Sequence, residues 1–457
     1  MVLMKSISGI RGTIGGDPID SLSAHNIVQF TTGFSQLLME NKSKNIIIGR
    51  DARISGEMIS NLVSGTLLSY GFNVIDVGLS TTPTVEMAVQ LSDSAGGIVI
   101  TASHNPKEWN ALKFLNEEGE FLSKTDGEKL LEYAKNNNLN SANINNIGKY
   151  TYNNSFNDQH IDEILKLDLI DINLIKSSNF KVVLDAVNST GGFMIPKLLS
   201  RLGVSCIKLY CDPTGDFPHN PEPLPENLID ISRIVVKEQA DFGIVVDPDV
   251  DRLAIVCEDG SMFGEEYTLV SIADYILSKT PGNTVSNLSS TRALLDITNK
   301  YRQKYEASAV GEVNVVKKMK EINAVIGGEG NGGIIYPKLH YGRDAILGIA
   351  FFLMHLAEKK ISCKALKGSY PEYFLSKKKL ELENKIDINK IMSLLEEKYS
   401  NEKITRIDGL KIDFKNEWVH LRKSNTEPII RIYAESTIKE RSEDLAKEII
   451  NEIQSLI

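Results

Sequence analysis

The chain has 457 residues, 42% hydrophobic and 24% charged, with 51 Lys and Arg against 60 Asp and Glu for a formal net charge of −9. At about 100–200 residues per domain, that length predicts three or four domains. The acidic balance argues against a nucleic-acid surface as the main function, although a cleft on an acidic protein can be locally basic. The longest apolar run, "ILGIAFFLM" at 346–354, falls far short of the roughly 20 residues that span a bilayer. The first residues, "MVLMKSISGIRG", lack the extended apolar stretch of a signal peptide. No membrane, no nucleic-acid partner and a cytoplasmic location are therefore expected. Cys206, Cys211, Cys257 and Cys363 form no CxxC pair and no zinc spacing, which reads as free thiols in a reducing compartment.

Taken in chain order, strand and helix signals alternate. "NIIIGRD" (45–51) reads as a buried strand, "GEMISNLVSGTLLSYG" (56–71) as a helix closed by Gly, and "FNVIDVG" (72–78) as the next strand. "GGIVI" (96–100) reads as another buried strand that ends at "TASHNP". An Asn-rich stretch at 132–158, poor in large apolar residues, marks a first boundary. A second unit begins at "FKVVLDAVNSTGG" (180–192) and ends in the strand "DFGIVVDPDVDR" (241–252). A third is expected to open near "RLAIVC", with a hairpin turn at "EDGS" leading into a helix. The last unit starts near "SYPEYF" (369–374) and carries strand-like pieces before a helical pattern at 438–456. The β-α-β patterning predicts α/β units with parallel or mixed sheets covered by helices. In such units, ligand-contacting loops gather at the carboxyl ends of strands.

Four loops carry chemistry. In "DPDVDR", Asp247, Asp249 and Asp251 crowd three carboxylates after a buried strand, and holding them together calls for a hard dication, Mg²⁺ above all. An EF-hand reading fails, because Arg252 stands where Gly is needed and a strand occupies the loop. A Mg²⁺-dependent phosphatase of the haloacid-dehalogenase type, with Asp247 as nucleophile, is a sharper rival, but the later acidic loop it needs is missing. The glycine loop "GGEGNGG" (327–333) contains GxGxxG without a following helix, so a dinucleotide fingerprint fails its context. A close turn in which Glu329 and Asn331 bond hydroxyls fits better, next to a purely structural turn. In "RKSNTEP" (422–428), Arg422 offers a planar fork, and Ser424, Asn425 and Thr426 add neutral donors, a set suited to an anion. In "TASHNP", Ser103 stands beside His104 without a nucleophile elbow. With Arg11 and Lys113 also on the chain, phosphoryl chemistry is the reading that uses all four loops.

Together these loops resemble those of the α-D-phosphohexomutases: "TASHNP" the active-site serine loop, "DPDVDR" the metal loop, "GEGNGG" the sugar loop and "RKSNTEP" the phosphate loop. They occur in that family's order and, with "GIRG" near the start, cover the chain almost end to end. The resemblance implies three similar α/β domains with mixed sheets and a smaller C-terminal α+β domain around a central cleft. Each gives one loop: 1–152 the phosphoserine loop, 153–256 the metal loop, 257–368 the sugar-binding loop and 369–457 the phosphate-binding loop. It implies that Ser103 carries a phosphoryl group and joins Asp247, Asp249 and Asp251 around Mg²⁺. Lys113 or His104 would be the general acid/base, and Arg11 and Arg252 would stabilise charge. Glu329 and Asn331 would hold the sugar, while Arg422, Ser424, Asn425, Thr426 and Arg431 would hold the non-reacting phosphate.

The implied reaction interconverts hexose 6-phosphate and hexose 1-phosphate, with hexose 1,6-bisphosphate as intermediate and activator. Where many bacterial members read GExSGH, this chain has Asn331 for Ser and Gly333 for His, and Glu312 stands where some carry His. Both changes resemble the archaeal-type phosphoglucosamine and phosphoglucomutase/phosphomannomutase group. The Thr-Glu-Pro ending tips the expectation towards glucosamine phosphate, with glucose and mannose phosphates as alternatives. A non-catalytic sugar-phosphate sensor is the remaining rival, and the oligomeric state is left open.

Overall fold

The computed structural model describes residues 3–6, 9–17, 19–136, 139–381, 387–423 and 429–456. Four sheets follow one another along the chain. The first has seven strands: Met4–Ser6 (β1), Gly9–Thr13 (β2), Asn45–Arg50 (β3), Asn73–Leu79 (β4), Gly96–Ile100 (β5), Trp109–Leu115 (β6) and Tyr150–Tyr152 (β7), in the order β1-β2-β6-β5-β3-β4-β7. β5 is buried at every residue because it lies between β3, parallel to it, and β6, antiparallel to it. A strand covered on both faces needs no polar alternation, which is why "GGIVI" is uniformly apolar.

The second sheet is built from Lys181–Asp185 (β8), Ser205–Leu209 (β9), Phe242–Val246 (β10) and Leu253–Cys257 (β11), in the order β11-β10-β8-β9. Here one expectation is corrected: "RLAIVC" does not open a third unit. The "DPDVDR" turn reverses the chain, and β11 pairs antiparallel with β10, completing the second sheet. The third sheet has Thr284–Asn287 (β12), Tyr305–Ser308 (β13), Ile326–Glu329 (β14) and Gly333–Ile335 (β15), and the glycine loop is the hairpin between the last two. The fourth has Phe374–Glu381 (β16), Lys403–Thr405 (β17), Leu410–Asp413 (β18), Trp418–Lys423 (β19) and Ile429–Ser436 (β20). It is antiparallel throughout and packs on the helices Ile388–Lys398 and Lys439–Ser455. Three mixed α/β sheets and a smaller α+β unit are thus the architecture.

The second and third units share one hydrophobic core running from Ile161 to Tyr370. At its centre lies the helix Ala345–Lys359, which contains the apolar run 346–354, buried at every residue of that run. Its hydrophobicity is therefore that of a helix enclosed by protein, and among the described residues no helix is long and apolar enough to cross a membrane. The first and fourth units keep cores of their own.

Candidate active site

The serine loop leaves the end of β5 and turns sharply. Ser103 takes φ +50°, a left-handed conformation that costs a non-glycine residue energy and has to be held by its surroundings. Arg53 holds it. Its buried guanidinium donates to four loop carbonyls: Nη2 to Ser103 O and Asn105 O, both at 2.6 Å, and Nη1 to Pro106 O at 2.7 Å and Trp109 O at 2.9 Å. Nε pairs with Asp51 at 3.0 Å, and Asp51 accepts from Thr101, whose hydroxyl in turn accepts the Ser103 N–H. Sequence reading missed Arg53; nothing in "GRDARIS" announces contacts made some 50 positions away.

Ser103 Oγ donates to Asp247 Oδ2 at 2.7 Å and lies 3.3 Å from His104 Nδ1. That single bond brings the serine loop of the first unit onto the acidic loop of the second. Val250 at φ +61° lets Asp247, Asp249 and Asp251 face one point, with ligand oxygens within 4.8 Å of one another and all three residues fully buried. Asp249 Oδ2 accepts from Thr82 at 2.6 Å and Lys113 at 2.7 Å, and Asp251 Oδ2 pairs with Arg343 at 2.5 Å. Oδ1 of Asp249 and Oδ1 of Asp251 are buried without a hydrogen-bond partner among the described residues. Orphaned carboxylate oxygens are costly in a protein interior, and an all-oxygen set of three carboxylates is the donor chemistry of Mg²⁺. The residues present therefore fit that ion.

The electrostatics follow from burial and neighbours. Burial and repulsion from Asp251 and Asp249 push the Asp247 carboxyl well above its ordinary value. Burial also pushes Asp249 up, but Lys113 and Thr82 outweigh it and hold that carboxyl below the usual range. Burial acts to lower Lys113, yet Asp249 and Asp251 prevail and keep the ammonium charged. Burial, reinforced by Arg252 and Arg11, holds the His104 imidazole well below its ordinary value, so it is neutral at pH 7.

A cleft of about 730 Å³ opens over these groups, a volume suited to a small ligand. The first unit lines it with Arg11, Ser103, His104 and Lys113, the second with Arg252, and the third with Glu312, Glu329, Asn331 and Arg343. Arg11 donates to Asn105 Oδ1 at 2.5 Å, which fixes it beside the serine loop. The Arg252 N–H donates to Asp247 Oδ1 at 3.2 Å, and its Nε stands 4.0 Å from Asp247 and 3.9 Å from Asp251. Arg343 was not foreseen. It contacts Asp251, Glu312 at 2.9 Å and Glu329 at 3.1 Å, one cation tying the metal loop to the sugar end. Glu329 also accepts from Asn287 at 2.8 Å and from the Gly311 N–H at 3.0 Å. Burial raises Glu329, but Arg343 and these donors bring it below the usual range, whereas for Glu312 burial prevails and the carboxyl is raised. Asn331 Oδ1 closes the hairpin by accepting from Gly333 N at 3.2 Å, which leaves its amide group for a ligand.

The fourth unit stands at one remove. Arg422, at the end of β19, pairs with Asp408 at 2.8 Å, and Asp408 accepts from the N–H of Val310 in the cleft lining. Arg431 is the register partner of Arg422, so both side chains leave the same face of the sheet. Neither arginine lines the cleft itself. Ser424, Asn425 and Thr426 lie outside the described residues.

Fold and cleft define a four-unit α/β protein with a buried serine held against an acidic triad. Family models for phosphoglucomutase/phosphomannomutase match the chain in order: α/β/α domain I at residues 4–141, domain II at 158–260, domain III at 264–373 and the C-terminal domain at 378–452. The chain belongs to that family, the α-D-phosphohexomutases. It is 35% identical over 403 residues to a phosphoglucomutase/phosphomannomutase of Thermococcus kodakarensis, covering 87% of each chain. It is 32% identical over 455 residues to a probable phosphoglucosamine mutase of Pyrococcus horikoshii, covering 98% of this chain and 97% of that one. Among solved structures, a phosphoglucomutase/phosphomannomutase family protein of Burkholderia thailandensis superposes with a TM-score of 0.85 at 25% identity, over 99% of this chain and 98% of the other.

Proposed function

We propose that the chain is a phosphohexomutase that moves a phosphoryl group between the 1- and 6-positions of a hexose, with Ser103 as carrier. The observation that carries this reading is the hydroxyl of Ser103 held 2.7 Å from an acidic triad with orphaned oxygens, at the floor of a cation-lined cleft. Asp247, Asp249 and Asp251 would hold Mg²⁺ with an oxygen of phosphorylated Ser103, and the ion would supply positive charge against the transferring group. Transfer begins when a sugar hydroxyl oxygen bonds to the phosphorus and the bond from phosphorus to Ser103 Oγ breaks. Neutral His104 accepts the hydroxyl proton and charged Lys113 returns one to the serine oxygen. Arg11 and Arg252 meet the charge on the phosphoryl oxygens. The hexose 1,6-bisphosphate so formed reorients, and its other phosphate passes to Ser103 with the two proton carriers exchanging roles. Arg422 and Arg431, with Ser424, Asn425 and Thr426, would hold the phosphate that is not reacting.

Glucosamine phosphate is the substrate we favour. Glu312 and Glu329 set two carboxyl groups in the cleft lining at the sugar end, where an ammonium group would find acceptors. The probable phosphoglucosamine mutase among the relatives supports the same choice, and the phosphoglucomutase/phosphomannomutase keeps glucose and mannose phosphates as the second reading. A cytoplasmic location goes with this reading, since hexose phosphates are its substrates. Relative kcat/KM for glucosamine 6-phosphate, glucose 1-phosphate and mannose 1-phosphate tests this: glucosamine is expected to lead, and a tenfold preference for either neutral sugar would overturn it. Turnover surviving Ser103→Ala but not Asp247→Asn would point instead to a phosphatase, and binding without turnover to a sensor.

A further inference from the structure

A second cluster of metal-ligating side chains lies behind the cleft, where the first three units meet. His160 comes from the helix Phe156–Leu165, Glu86 from the helix Thr82–Leu91, and His340 and Asp344 from the segment that enters the helix Ala345–Lys359. All four are buried, none more than 3% exposed. His160 Nε2 is 2.8 Å and His340 Nε2 is 3.3 Å from the same oxygen, Asp344 Oδ2. The other oxygen, Oδ1, caps the following helix by accepting from Ile346 N and Leu347 N, which fixes the carboxylate. On the far side of each ring stands an oxygen: Thr84 Oγ1 lies 2.8 Å from His160 Nδ1, and Glu86 Oε2 lies 3.4 Å from His340 Nδ1.

Each imidazole thus turns Nε2 to one carboxylate oxygen and Nδ1 to a second oxygen, and the ligand atoms of His160, His340 and Asp344 all lie within 4.8 Å of one another. Among the described residues neither Glu86 oxygen has a hydrogen-bond partner, and His340 Nδ1 has none. A dication on the Nε2 side would fix the ring protons on Nδ1, where Thr84 and Glu86 accept them. Imidazoles bound to metal are oriented in this way, each through its other nitrogen. Metal bonds of about 2.0–2.1 Å at tetrahedral angles put ligand atoms about 3.3 Å apart, the separation His340 and Asp344 already have, while His160 and Asp344, 2.8 Å apart, would draw back by about half an ångström.

We propose that His160, His340 and Asp344 form a binding site for a divalent transition metal, Zn²⁺ by ligand type, that fastens the second unit to the third, with Thr84 and Glu86 of the first unit against its imidazoles. Mixed imidazole and carboxylate ligands suit Zn²⁺ and distinguish this site from the all-oxygen triad. The site also bears on the cleft, because Asp344 follows Arg343 and its fixed position keeps that guanidinium among Asp251, Glu312 and Glu329.

The test uses the full-length protein, loaded with Zn²⁺ and dialysed against excess Mg²⁺, with metal content measured by mass spectrometry. One Zn²⁺ per chain is expected, retained in Asp249→Asn and lost in His340→Gln. Loading with Co²⁺ gives a second readout that needs no variant: a four-coordinate site of the kind Zn²⁺ takes gives intense visible bands, whereas a six-coordinate site of the kind Mg²⁺ takes gives weak ones. Zn²⁺ absent after dialysis, Zn²⁺ lost in Asp249→Asn but kept in His340→Gln, or a Co²⁺ spectrum with weak bands only would each overturn the proposal. His160 and His340 would then hold Asp344 through Nε2–H hydrogen bonds alone. None of these outcomes depends on turnover, so they stand apart from the test of the mutase reading.

Discussion

Two buried carboxylate clusters lie back to back across Arg343 and Asp344, and they are built in opposite ways. Asp247, Asp249 and Asp251 come from a single turn and lie beneath the lining of an open cleft, with Lys113, Arg252 and Arg343 around them. The other cluster, His160, His340, Asp344 and Glu86, is drawn from three units and is closed to solvent. A contiguous motif has to bend the backbone to converge its side chains, as the positive φ of Val250 shows. A cluster assembled from two helices and a helix-entering segment converges without that strain and leaves no local pattern. The first is built for chemistry on a ligand that comes and goes, the second for something held permanently.

The largest effect expected on the open cluster is that of Ser103→Ala. Turnover should fall on the order of 10⁴-fold or more while the thermal midpoint barely moves. Next comes Arg53→Leu, which leaves Asp51 as an unpaired buried charge and strips four loop carbonyls of their donor. A loss of about 3–5 kcal/mol in chemical denaturation is expected. Arg343→Gln probes the boundary between the clusters. Freed of its cation, Asp251 should bind Mg²⁺ more tightly while turnover falls by about tenfold or more, because Glu329 loses its positioning partner; Mg²⁺ titration of activity reads both.

These contrasts also show what could be read from residues alone. Ser103 and the three aspartates sit in short loops after apolar strands, where spacing carries information, and Glu329 ends a strand at the glycine hairpin. The β-α alternation exposed β3, β4, β5, β8, β10 and β11, and β5 lies where "GGIVI" was read. Arg53, Thr82 and Arg343 stayed hidden because each works on partners distant in sequence: Thr82 reaches Asp249 across 167 positions and Arg343 reaches Asp251 across 92. "RLAIVC" was misplaced because an apolar run tells that a strand forms but not which sheet it joins. That was decided by the reversal at Val250.

Smaller effects sharpen the comparison. Thr82→Val removes a hydroxyl that orients Asp249 and should weaken Mg²⁺ activation by about tenfold. His420 is the counterpart of the histidines in the closed cluster, buried with no carboxylate hydrogen-bonded to it among the described residues. Its Nδ1 lies 3.0 Å from Ser289 Oγ and its Nε2 donates to Asp408 O at 2.6 Å, joining the fourth unit to the third. Burial pushes its imidazole down to about 4. The folded state therefore resists protonation, so its contribution to stability is whole above about pH 6.5 and declines as the pH falls towards 4, by at most about 1.4 kcal/mol per unit. Thermal midpoints measured across that window should fall less steeply in His420→Asn.

The central claim is that Ser103 carries the phosphoryl group. Incubating the full-length protein with glucose 1,6-bisphosphate and Mg²⁺, followed by intact-mass measurement and peptide mapping, tests it directly. The account predicts one phosphoryl group per chain, located on Ser103, that leaves with formation of hexose bisphosphate when hexose monophosphate is added. A chain that turns over hexose phosphates without ever carrying phosphate on Ser103, or that carries it on Asp247, would contradict the account.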